Sequence, residues 1–171
     1  MAEGARLLAL WARLAPLPGG RWLFSRVLGT MVPYSGSIGA VVTALEPGHV
    51  VVALADRRAV RNHLRSIHAL ALANLGELSS GLALLTALPP GVQGIVRHLA
   101  IDFRKKARGR LEASCEAVVP AVGDADVTHD VVAAIRDAEG DLVAEVRVTW
   151  SLRRRDGAAS HARAVPAAGA A

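Results

Sequence analysis

Aromatic side chains are scarce in this sequence: three tryptophans, two phenylalanines and one tyrosine make up 4% of 171 residues. A core must therefore be filled with leucine, valine, isoleucine and alanine, and the interleaved aromatics on which single-stranded nucleic acid stacks are missing. The one cysteine, Cys115, excludes both a disulfide framework and a cysteine-based metal site within a chain, and it suits a reducing compartment. Its place in an alternating strand pattern reads as that of a small apolar core residue. Lysine is nearly absent too. Only Lys105 and Lys106 occur, so the formal charge of +5 rests on arginine, which favours planar or phosphate-like anions. Charge alone does not choose among nucleic acid, anionic lipid and a phosphorylated cofactor. No groove-reading module is visible, so nucleic acid is not expected as a partner, and no metal site is expected either.

Long uninterrupted apolar runs are also lacking. Arg13 breaks the first Leu/Trp stretch before a signal-peptide core is complete. The segment from Ile67 to Leu88 approaches the length of a membrane span but carries His68, Asn74 and Glu77, each costly in hydrocarbon. It reads as a helix buried in protein, with no transmembrane segment and the cytoplasm as the default address.

Hydrophobic residues make up 52% and charged residues 20%, the balance of a folded chain long enough for one domain with a sizeable core. The expected division is an N-terminal helical segment over residues 1–32, a main domain over 33–155 and a disordered Ala-rich tail over 156–171. Arg6 to Leu14 has helical spacing and ends at Pro16-Leu17-Pro18-Gly19-Gly20. Arg21 to Met31 forms a second short segment that either packs over the domain or serves as an acyl-chain entrance or membrane contact. After Pro33-Tyr34 the pattern becomes that of strands: Ile38 to Leu45, a turn at Glu46-Pro47-Gly48, then His49 to Leu54. Ser66 is positioned to cap a helix over Ile67 to Leu88, apolar or small nearly all round and ended by Pro89-Pro90-Gly91. Period-two segments follow from Ile95, Leu111, Val131 and Leu142, the last pair joined at Ala138-Glu139-Gly140-Asp141. A hairpin, one long buried helix and four further strands predict an α+β fold: a curled antiparallel six-stranded sheet wrapped around one central helix.

The chemistry-bearing residues gather in Arg61 to Leu70 and at Glu77. A carboxylate on a buried helix needs a partner or a purpose, because burying it bare costs several kcal/mol on the order of the ion-desolvation penalty. A salt bridge to an arginine is the plain account of Glu77, and catalysis the alternative. The amides of Ala69 and Leu70 fall in the first helical turn, where unpaired N–H groups and the positive end of the helix dipole could receive an oxyanion. At about 100 degrees per residue, His68 and Glu77 leave the helix on opposite sides. A two-fold partner would bring one chain's Glu77 to the other's His68. Asn74, one turn before Glu77, could steady its carboxylate or bond to another element, and Ser80 has a similar, lesser claim. His49, His63 and His98 are assigned to structure. The cluster Arg104-Lys105-Lys106-Ala107-Arg108-Gly109-Arg110 is either a solvated corner or a dock for phosphates or an acidic protein surface.

The run Asn62-x5-His68-Ala69-Leu70-x6-Glu77 resembles the Asn-x5-His-Gly-Gly-x6-Asp pattern of the phenylacetate-pathway acyl-CoA thioesterases of the hotdog superfamily. Ile101 to Leu111 resembles that superfamily's third-strand signature, and the likeness spans roughly Pro33 to Leu152. A branch of uncharacterised thioesterases carries Arg-Asn-His, then Ile-His-Ala, then a helical Glu, as here. The resemblance implies the hotdog fold, a homodimer or a dimer of dimers, and hydrolysis of acyl-CoA or an acyl carrier protein with no cofactor beyond the coenzyme A of the substrate. It further implies that Asn62 and His68 orient the thioester, that the Ala69 amide receives the oxyanion, and that Glu77 is general base or nucleophile. Leu70, Asn74, Ser80, Arg104, Lys105, Lys106 and Arg108 would contact substrate. Two departures stand out: Ala69-Leu70 replaces Gly-Gly, narrowing the approach to the backbone, and Glu77 is one methylene longer than Asp. A non-catalytic hotdog that binds an acyl chain or a protein remains the alternative. A dehydratase is disfavoured, because no His-x-Pro-Gly turn occurs at His68.

Overall fold

The computed structural model describes residues 3–155, so the expected tail over 156–171 lies outside the described residues. Two helices, α1 (Glu3–Leu14) and α2 (Gly20–Met31), lead into a short third, α3 (Pro33–Ser37). Strands β1 (Val41–Glu46) and β2 (His49–Leu54) precede the long helix α4 (Ala69–Ala87). Strands β3 (Val92–Phe103), β4 (Leu111–Glu116), β5 (Val127–Arg136) and β6 (Leu142–Arg154) complete the chain. The six strands form one antiparallel sheet in the order β1-β2-β4-β5-β6-β3.

This is the expected α+β hotdog arrangement, and its cause is visible in α4. The helix is apolar on nearly every side, so no single flat face could satisfy it, and the sheet curls until β2, β4, β5 and β6 all pack against it. Leu75, Leu82 and Leu84 of α4 meet Val52, Leu54, Leu111, Ala113, Ile135 and Val148 in a core without exposed members. Among the described residues α4 is the one helix long and apolar enough to cross a membrane, and 61% of its apolar window is buried inside the protein. Gly76 sets how tightly it sits: a Cβ there would lie 2.3 Å from the Cβ of Val146 on β6. Cys115 is buried in the core, as expected, and burial pushes its thiol up to about 12.

The two ends of the sheet differ. At β1 the edge is covered by α2, whose Ser25 hydroxyl accepts the Val42 N–H at 2.9 Å and so satisfies an edge group that would otherwise face solvent. Trp11 of α1 packs edge-on against Phe24 of α2, holding both helices to the domain. At the other end β3 pairs only with β6, and Ile95, Val96 and Phe103 are exposed along it.

Three local expectations change. The stretch after Pro33 begins as a helical turn, not a strand, because Pro33 occupies the first turn, where a missing N–H is harmless. Strand β1 then starts at Val41. The cap of the long helix is His68, not Ser66. Ser66 is instead folded into the preceding loop by Asn62.

Candidate functional site

The loop before α4 is organised by one side chain. Asn62 Oδ1 accepts from the amides of Leu64 at 2.9 Å and Ser66 at 3.2 Å, while the Asn62 amide donates to the Ser66 carbonyl at 2.8 Å. The turn is tight enough that Arg65 takes a φ of 57°, a left-handed conformation unusual outside glycine. The loop is anchored on both sides. The His68 amide donates to the Val60 carbonyl and the Ile67 amide to the Ala107 carbonyl, each at 2.8 Å. Asp56 ties the same region to the corner after β3, accepting from Arg61 at 2.6 Å and from the Gly109 amide at 2.9 Å. The Arg61 guanidinium, foremost, holds the Asp56 carboxyl below its ordinary range.

At the helix start His68 Nδ1 accepts from the Leu70 amide at 3.1 Å. Since Nδ1 is the acceptor, the neutral ring carries its proton on Nε2, which is left to donate outward from an exposed side chain. The expectation that the Ala69 and Leu70 amides act together is thereby corrected: the Leu70 amide is already occupied by the cap. The Ala69 amide has no protein acceptor among the described residues. Ala69 and Asn62 line the same cavity with Phe103, Arg104, Lys105 and Lys106, so the free amide and the basic corner do face one space. His68 lies on the other flank of the helix start, in a second cavity with Tyr34, Leu70 and Asn74.

The basic corner is less uniform than its sequence. Lys105 Nζ is held between Asp137 and Asp141, which raise its pKa, and its charge is met within the chain. Arg104 approaches only the exposed Asp102, at 4.0 Å. Lys106 and Arg108 form no ion pair among the described residues. Arg108 does not line the cavity of Asn62 and Ala69.

Glu77 lies on the flank of α4 that meets α3. No cation pairs with it among the described residues, so the salt-bridge account fails. Among the described residues the one hydrogen-bond partner of its carboxylate is the Ser35 hydroxyl, which donates to Oε2 at 3.4 Å. Burial raises the carboxyl above its ordinary range and the Ser35 hydroxyl partly offsets that rise. Asn74, one turn earlier, donates from Nδ2 to the Tyr34 carbonyl at 3.1 Å and does not bond to Glu77. A carbonyl can only accept, which fixes the amide orientation and leaves the buried Asn74 Oδ1 without a partner. Ser80 is fully buried, and its hydroxyl donates to the Glu77 carbonyl at 3.0 Å, so it props the helix instead of facing a cavity.

Within one chain no hydrogen bond joins Glu77 to Asn62 or His68. Helix α3 is the part of the site that sequence reasoning missed. Its approach depends on two glycines: a Cβ on Gly36 would lie 2.6 Å from the Gly29 Cα, so the missing side chains let α2 and α3 touch backbone to backbone there. That contact brings Tyr34 and Ser35 against α4. The sequence signal available was the Pro-Tyr-Ser-Gly-Ser run itself, a helix start by its proline, although nothing in it points to a glutamate 42 positions away.

Solved structures share this curled sheet and central helix. A structural-genomics protein is 24% identical, with a TM-score of 0.74 over 89% of this chain and 99% of its own. A protein of unknown function from Pseudomonas aeruginosa, described as a probable thioesterase, is 23% identical, with a TM-score of 0.67 over 81% of this chain and 97% of its own. A thioesterase enzyme from Staphylococcus aureus is 18% identical, with a TM-score of 0.62 over 71% of this chain and 98% of its own. These likenesses establish the hotdog fold. No curated protein matches the chain. A family model does, over residues 20–152, and by it this chain belongs to the family described as a domain of unknown function, DUF4442.

Proposed function

We propose that the protein is an acyl thioesterase acting on acyl-CoA or an acyl carrier protein, with a site completed by a second copy of the chain. The observation that carries this reading is Glu77. It is a half-buried carboxylate with no cation beside it, held by one hydroxyl and raised in pKa by burial, which is the environment of a general base and not of a structural ion pair.

The chemistry follows from the groups present. Glu77 takes a proton from water as the water oxygen bonds to the thioester carbonyl carbon. The developing oxyanion is received by the free Ala69 amide at the positive end of α4, with the Asn62 side-chain amide orienting the thioester from the same cavity and the His68 Nε2 proton from the opposite side of the helix start. When the carbon–sulfur bond breaks, the proton held by Glu77 returns to the departing thiolate. Glu77 belongs to the partner of the chain that supplies His68 and Ala69, since within one chain no hydrogen bond joins it to either and the helical spacing sends the His68 and Glu77 side chains apart. The unpaired edge of β3, with Ile95, Val96 and Phe103 exposed, is the surface on which the second copy pairs. The phosphates of the coenzyme dock at Arg104 and Lys106, the cations lining the cavity of Asn62 and Ala69 that have no strong internal pair among the described residues.

A thiol-release assay across acyl-CoAs of differing length tests the reading. Wild-type protein turns over at least one of them, and Glu77→Gln, nearly the same shape, falls by about 100-fold or more. Full turnover in Glu77→Gln would sink the mechanism, and saturable binding without thiol release would favour a non-catalytic acyl-binding protein.

A further inference from the structure

A further cavity lies apart from the one that holds Ala69. It lies between α2, α3 and β1, has a volume of about 320 Å³, and its wall includes Trp22, Arg26, Leu28, Ser35, Arg57 and Leu78. Ser35 is the residue that touches Glu77, and Leu78 follows Glu77 on α4, so the cavity adjoins the carboxylate from the side away from the helix start. Leu28 and Leu78 give it an apolar floor. Its rim is cationic, and both cations are held in place. The Arg57 guanidinium donates from one nitrogen to the Ile38 carbonyl, leaving its other N–H groups free. The Arg26 guanidinium stands over the Trp22 ring, 5.9 Å from its centre.

Neither arginine has a carboxylate partner among the described residues, and no acidic side chain lines the cavity. The sequence holds no acid at all from Gly4 to Leu45. An apolar floor beneath two positioned, unmatched guanidiniums is complementary to a short hydrocarbon chain ending in an anion, and the planar fork of arginine suits a carboxylate.

We propose that this cavity receives the far end of the acyl group and that this end bears a carboxylate, so that the favoured substrates are ω-carboxyacyl thioesters. The inference rests on the reading of Glu77 as the base. Adipoyl-CoA and hexanoyl-CoA have the same carbon count and the same coenzyme, and differ in the terminal carboxylate. The ratio of kcat/KM for adipoyl-CoA to that for hexanoyl-CoA exceeds one in the wild-type protein and falls about 10-fold or more in Arg26→Gln, the loss of a charge-assisted hydrogen bond. Arg57→Gln lowers it too where that variant folds; Arg26, which bonds to no backbone group, keeps the test open where it does not. A wild-type ratio below one, or a ratio that Arg26→Gln leaves unchanged, overturns the proposal. Equal losses on both substrates assign the guanidiniums to the coenzyme's phosphates and overturn it as well. Should Glu77→Gln prove fully active, the base is misassigned, and calorimetric binding then decides for the cavity. Tighter binding of adipoyl-CoA than of hexanoyl-CoA, abolished by Arg26→Gln, upholds it, and equal binding rejects it.

Discussion

Substitution can separate what Asn62 does in its loop from the substrate contact proposed for it. Its Oδ1 accepts two backbone amides, of Leu64 and Ser66, and the turn it closes holds Arg65 at a φ of 57°. In Asn62→Ala both amides lose their acceptor, at about 1 kcal/mol each for a hydrogen bond in a partly exposed loop. The left-handed Arg65 is a cost both proteins carry, so it adds nothing to the difference. The sum is roughly 2 kcal/mol, which for a chain of this size lowers Tm by about 4–8 °C if the loop melts with the domain. Asn62→Asp keeps an oxygen at the Oδ1 position and so retains the turn, but it removes the amide N–H groups offered to a thioester. Its Tm therefore stays within about 2 °C of wild type while kcat/KM drops about 10-fold or more. Differential scanning calorimetry beside the thiol-release assay reads both quantities. A wild-type Tm in Asn62→Ala would refute the account of the loop, and wild-type turnover in Asn62→Asp would refute any direct contact with substrate.

Ser35→Ala removes the hydroxyl that lowers the Glu77 pKa, so the acid limb of the pH–rate profile, where turnover rises as Glu77 ionises, moves to higher pH; Ser35→Thr restores it, and an unmoved limb rules out the coupling. The same burial predicts a stability trend. A carboxyl whose folded pKa is raised is destabilising once ionised, so the Glu77 contribution to stability is greatest below its unfolded pKa of about 4.3, declines as pH rises toward the folded value, and disappears from the Tm profile of Glu77→Gln. If two chains share each site, mixing inactive Glu77→Gln with inactive His68→Ala under conditions of subunit exchange restores roughly a quarter of wild-type turnover, from heterodimers with one intact site; no recovery would place both groups in one chain. Gly76→Ala forces a methyl group against Val146 and costs about 1–3 kcal/mol in chemical denaturation, part of which Val146→Ala in the same chain restores.

The parts of the fold that were legible in the sequence are those written in periodicity. The long helix, the hairpin before it and the alternating strands after it follow from where apolar residues recur, and an all-round apolar helix admits few sheets that could cover it. Capping was legible only in part. Ser66 is the better cap by residue type, yet its hydroxyl lies with the Asn62 side chain, and the imidazole next in reach of a free amide takes the helix start. Asn62, His68 and Ala69 could be grouped because they lie close together in the chain at the start of α4, whereas the basic corner follows β3 and reaches the same cavity as Asn62 and Ala69 only through the fold. That Lys105 is neutralised could not be seen, since its partners Asp137 and Asp141 belong to the turn between β5 and β6.

The surroundings of Glu77 show why the rest was hidden. On the helix alone, the neighbours of Glu77 are small, apolar or, like Asn74 and Ser80, neutral, and the natural inference is an arginine somewhere to neutralise it. What the fold supplies instead is a hydroxyl from α3, brought in by a glycine–glycine contact between two helices that the sequence shows as unrelated segments. A guanidinium in that position would have fixed the carboxylate in its charged form and held it in place. A single neutral donor leaves it desolvated and basic, with a cationic cavity on the far side of that donor. The two arginines that line this cavity form no ion pair with Glu77: Arg57 donates to the Ile38 carbonyl and Arg26 stands over the Trp22 ring. In the reaction proposed above, this separation of Glu77 from the cations lets one short helix serve both, keeping the carboxylate available for a proton and leaving the positive charge for an anionic end of the ligand.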